Sequence, residues 1–173
     1  MSKYPMKNYL LYRITGFIIN FVSIIIAINL LLSIPLLLSQ PFFLLFFFIL
    51  LCVVLYAWFA NSFLKKIIIL KQPVKKKMKE WLLVNALVSF IFSLIILIPG
   101  IALLFNPDPF FKNLEIFIKN SGAGSIGISN EEIKKVALAE LWFLVIFCLI
   151  LSLHIIWTYR LVKKNAANFT DED

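Results

Sequence analysis

Two ionisable side chains, Glu140 and His154, fall inside the apolar stretches of this chain. Charge in lipid is costly enough that each is a candidate site. Glu140 is of the type that binds a proton or a cation. His154 is of the type that relays protons near neutral pH. They lie 14 residues apart on one apolar stretch, roughly 21 Å along a helix axis, and so cannot form one acid–base pair. The plainer reading of Glu140 is an interfacial carboxylate that reaches water or pairs with Lys112, Lys119 or Lys134. For His154 it is an interfacial ring beside Trp157 and Tyr159. A single histidine does not make a zinc site, so neither a metal nor a cofactor is expected.

Asn85, Ser89 and Ser93 recur at i, i+4 and i+8 and share one helix face. Asn20, Ser23 and Ala27 form a similar face, as do Glu140, Cys148 and Ser152. Such stripes can line a hydrated path, but they more often let helices approach closely and hydrogen-bond to one another. Cys52 and Cys148 also fall in apolar stretches, where a free thiol behaves as a small hydrophobe. Lys65, Lys66, Lys71, Lys75, Lys76, Lys77 and Lys79 crowd into one linker. They serve topology, and they could also hold anionic lipid headgroups or an acidic partner.

The elements that carry these residues follow from hydropathy. The 173-residue chain is 62% hydrophobic, with a mean hydropathy of +0.96, an excess that calls for lipid as solvent. Four stretches, about 16–38, 42–63, 81–105 and 137–159, each supply the ~20 residues that a membrane-crossing helix needs. Unpaired backbone groups are not tolerated in lipid, so the spans are helical. Pro35 is a cheap kink near the end of the first span, and Pro99-Gly100 is expected to kink or end the third. Ser39-Gln40-Pro41 is too short for anything but an antiparallel turn.

Within loop 106–136, Phe110, Leu114, Phe117 and Ile118 recur at helical spacing opposite Lys112, Glu115 and Lys119, which predicts a short amphipathic helix on the membrane surface. Ser129 and Glu132 form a capping-box pattern that starts the fourth helix near Asn130. The basic linker 64–80 is expected to lie along the headgroups, isoleucines down and lysines out.

Thirteen of the 17 basic residues lie in the head, in linker 64–80 or after the last span. The positive-inside rule therefore places both termini and that linker in the cytoplasm. The fold expected is an all-α integral membrane protein, a single domain of four transmembrane helices arranged as two antiparallel hairpins. The net charge of +8 is topological and does not indicate nucleic acid. The chain reads as a small inner-membrane protein, a non-enzymatic accessory or structural subunit of a membrane complex. Its expected partners are anionic lipid and other membrane subunits or itself. The competing reading is a homo-oligomeric transporter or pore for a small solute or ion, with Glu140 as its coupling carboxylate.

Overall fold

The computed structural model describes residues 9–35, 43–121 and 130–170. The elements in order are α1 (Leu10–Leu32), α2 (Phe43–Phe63) with a π-helical extension (Leu64–Ile69), β1 (Val74–Lys75), α3 (Lys76–Phe105), α4 (Asp108–Ser121), α5 (Asn130–Lys164) and β2 (Phe169–Thr170). The chain is all-α in character. The helices α1, α2 with its extension, α3 and α5 are long and apolar enough to cross a membrane. Less than a third of each apolar window is buried within the chain. Phe17, Leu32, Leu45 and Ile98 are each more than two-thirds exposed. Such a surface is out of place in water and ordinary against lipid tails. This is a multi-pass membrane protein.

The helices depart from the expected spans in ways that matter for the site. α1 begins six residues before position 16, at Leu10, and ends at Leu32. Ser33 closes it, its backbone N–H donating to the Asn29 carbonyl. Pro35 accounts for the break, because it offers no N–H to the Leu31 carbonyl and its ring crowds that oxygen; Ile34 and Pro35 are themselves helical beyond the turn at Ser33. α3 does not end at Pro99 but continues to Phe105. The start of linker 64–80 is not a ribbon on the headgroups: it prolongs α2, with Ile67 and Ile68 buried in protein. The Leu70 and Gln72 N–H groups close this extension on the Lys65 and Lys66 carbonyls, with Lys71 in the left-handed region at φ 56°. The 39–41 turn, the Ser129 cap and the glycine-rich 122–129 stretch lie outside the described residues.

The chain divides into two compact units, Ser93–Leu149 and the remainder. In the smaller unit, Gly100 gives α3 a close approach to α5: a Cβ added there would stand 2.7 Å from Val145 Cγ2. α4 is tied to the start of α5 by the Glu115–Lys134 ion pair at 2.6 Å, and the Lys134 ammonium also lies over the Phe111 ring. Glu140 is exposed in this unit.

In the larger unit α1 packs along α2. Its core includes Ile19, Val53, Tyr56, Phe63, Leu82 and Leu151. The tail returns to the linker, where β1 and β2 pair in parallel, Val74 with Phe169 and Lys75 with Thr170. Two residues of ladder are too few to hold by themselves. Phe169 supplies the rest: its ring lies parallel to that of Phe63 with centroids 6.2 Å apart, and Lys79 sits 5.7 Å over it. An aromatic pair is worth about 0.5–1.5 kcal/mol beyond its buried area. Phe169→Ala is therefore expected to release the tail, and trypsin should then cut at Lys163 and Lys164 several-fold faster. An unchanged cleavage rate would mean that the strand pairing alone holds it.

Candidate functional site

His154 is not an interfacial ring. It is 2% exposed and belongs to a polar cluster inside the larger unit. His154 and Thr158 stand one turn apart on α5, so both face the same neighbours. Tyr12 reaches them from the first turn of α1 and Tyr56 from within α2; Tyr12, Tyr56 and Thr158 are all essentially buried. The Thr158 hydroxyl is the hub. It lies 3.0 Å from the Tyr12 hydroxyl, 2.9 Å from the Tyr56 hydroxyl and 2.8 Å from the His154 carbonyl of its own helix. Tyr56 also shares a 2.7 Å hydrogen bond with His154 Nδ1. The Tyr12 ring stacks on the imidazole, centroids 4.3 Å apart and 8° between planes, and Tyr56 meets it edge-on. Three helices are thus joined through one threonine. In lipid, where no water competes, such a cluster fixes both helix register and ring orientation.

One atom of this cluster is unsatisfied. His154 Nε2 is buried and has no hydrogen-bond partner among the described residues. It lies against Gly16, where a Cβ would come within 3.1 Å of it. The Tyr12 backbone carbonyl, which accepts the Thr15 hydroxyl at 3.2 Å, also faces the imidazole as a hydrogen-bond acceptor, outside the geometry of a full bond to Nε2.

His154 and Gly16 stand in the wall of a cavity of about 730 Å³ that runs between α1 and the end of α2. Its polar lining is graded along the helices. Arg13, in the first turn of α1, and Lys65, in the π-helical extension, stand at one end. Asn20 and Asn61 lie further in, each about one turn or two from these cations, and Ile24 and Ala57 lie deeper still. Asn20 is held by its amide, which donates to the Gly16 carbonyl at 2.8 Å. π-helical turns are rare and often mark functional positions; this one sets Leu64, Lys65 and Ile69 on the cavity wall while Ile67 and Ile68 turn into the core.

The other candidates fall elsewhere. Asn85 and Ser89 are buried in the larger unit, and the Asn85 amide donates to the Trp81 carbonyl of its own helix at 2.7 Å. Ser93 is buried in the smaller unit. None of the three lines the cavity. Glu140 does not belong to the His154 cluster. Lys66, Lys71, Lys75, Lys76 and Lys77 are exposed, and Lys79 is partly covered beside Phe169. Cys52 and Cys148 are buried free thiols. Among the described residues no group of three or more His, Cys, Asp or Glu converges as a metal site.

Sequence reasoning missed Tyr12, Tyr56 and Thr158. Two signals pointed to them: the i, i+4 pair His154 and Thr158, and a tyrosine well inside a span, whose hydroxyl must find a partner there. Tyr12 was disguised by its company, since a tyrosine beside Arg13 looks like interface dress. No family model matches the chain, and no curated protein or solved structure is significantly similar to it.

Proposed function

We propose that this is a non-enzymatic inner-membrane protein that binds a membrane-embedded anionic amphiphile in the cavity between α1 and α2. Its orientation follows the basic residues: both termini and linker 64–80 in the cytoplasm, the spans forming two antiparallel hairpins. The observation that carries the proposal is the convergence of Arg13 and Lys65 on one end of a cavity whose other end is apolar. A cationic mouth at the helix ends and an apolar floor match a molecule with an anionic head and a hydrocarbon tail. The cavity falls within the ~300–1,000 Å³ of ordinary small-molecule sites. The exposed lysines of the linker extend the same preference to the surrounding anionic headgroups. Occupancy by lipid also suits an accessory role, in which the protein presents or senses an amphiphile for a larger complex.

A basic residue near an anionic lipid contributes about 1 kcal/mol. Replacing both Arg13 and Lys65 with alanine is therefore expected to weaken retention of an anionic single-chain lipid by about 30-fold. Native mass spectrometry of the purified protein in neutral detergent reads this directly. Equal retention of anionic and zwitterionic lipid, unaffected by the double substitution, would refute the proposal.

A further inference from the structure

An asparagine inside a span can satisfy its amide on its own helix. Asn20, Asn29 and Asn85 do so: each donates from the side chain to the carbonyl four residues back, at 2.8, 2.9 and 2.7 Å. Asn61 has the equivalent acceptor, the Ala57 carbonyl, and does not take it. Its carboxamide has no hydrogen-bond partner among the described residues. It is partly exposed and stands in the wall of the cavity between α1 and α2. Its place is one turn inside Lys65, about 6 Å along the axis, and Ala57 and Ile24 line the apolar part beyond it. An amide left unpaired away from water is costly. Asn20 is already engaged, so Asn61 is the amide that the cavity leaves for a ligand.

We infer that the ligand is an acyl ester of a glycerol phosphate, and that its ester carbonyl accepts a hydrogen bond from the Asn61 amide. This rests on the amphiphile reading above and specifies its chemistry. Order along the cavity sets the arrangement. Arg13 and Lys65 at the mouth take the phosphate. One turn in, Asn61 meets the next polar group of the ligand. Deeper still, the lining offers partners for hydrocarbon alone. In an acylated glycerol phosphate the glycerol sets the phosphate and the ester apart by a comparable step. The ester carbonyl accepts and cannot donate, and the Asn61 amide carries two N–H donors. A fatty acid or an alkyl phosphate has all of its polarity at the head, so it would lay methylene groups against the amide. An ether lipid puts its chain at the same depth but lacks the carbonyl. Lys65 and Asn61 share one face of the helix end, so phosphate and ester would be held in fixed register.

Oleoyl lysophosphatidic acid and its alkyl ether analogue share phosphate, hydroxyl and chain, and differ at the carbonyl. Titrated against the full-length protein in neutral detergent, the ester should bind about fivefold more tightly, the worth of one hydrogen bond. Asn61→Leu should remove that preference. The infrared stretch of an isotope-labelled ester carbonyl gives a direct reading: it should lie at lower frequency on the parent protein than on Asn61→Leu. Equal affinity for ester and ether in the parent protein would overturn the inference, as would a preference that survives Asn61→Leu; in either case the anionic-amphiphile proposal still stands. Failure of both phosphates to bind the parent protein would overturn both.

Discussion

Thr158→Val is expected to destabilise the protein by about 1–2 kcal/mol, in reversible unfolding from mixed micelles or by steric trapping. Valine matches threonine in shape, so the loss isolates the hydroxyl. Tyr12 would lose its hydrogen-bond partner in the cluster, while Tyr56 would keep His154. A buried polar group left unpaired costs about 1–3 kcal/mol. Interhelical hydrogen bonds in membrane proteins have averaged about 0.6 kcal/mol, with values up to about 1.7. A hub that serves three helices belongs at the upper end of that range. Thr158→Ser keeps the hydroxyl and gives up one methyl, so it should cost less than about 1 kcal/mol. The cycle with Tyr12→Phe is the sharper check. Once Thr158 is valine, removing the Tyr12 hydroxyl should cost almost nothing, because that hydroxyl is already orphaned. Additive losses would show that the two do not interact.

Gly100→Val is the second substitution with a large expected effect, about 2–3 kcal/mol of destabilisation. A Cβ at this position meets Val145 Cγ2 at 2.7 Å and Leu141 Cδ1 at 3.9 Å. Valine has a stiff χ1 in a helix, so the methyl it offers cannot swing clear. Overpacking of this kind costs about 1–3 kcal/mol. For Gly100→Ala the gain of about 1 kcal/mol in helix propensity offsets part of that, and a net loss near 1 kcal/mol is expected. Valine recovers less propensity and adds more atoms. Val145→Ala removes the clashing methyl, so Gly100→Ala with Val145→Ala should return close to the parent stability. Failure of that rescue would place the cost elsewhere, for example in the backbone beside Pro99.

What the sequence by itself determined is what lipid dictates locally. The four apolar stretches could become nothing but helices, since each must satisfy its own backbone away from water. α4 was legible because Phe110 and Leu114 alternate with Lys112 and Glu115 at helical spacing. His154 was legible as a candidate because an imidazole in a span is rare. What the tertiary structure decided was which side chains meet. Tyr12 lies 146 residues from Thr158 and Tyr56 lies 102 residues from it, and no periodicity along one helix encodes such a meeting. Helices in lipid lack a strong hydrophobic preference for one face, so packing shape and a few hydrogen bonds choose their neighbours. The Asn85, Ser89 and Ser93 stripe, readable as a lining or, more often, as a packing face, is buried, whereas Gly16, marked by nothing in its surroundings, lies against the His154 ring. Glu140, the most conspicuous charge in a span, is exposed, because its place on the surface of α5 depended on neighbours that the sequence of one helix does not specify.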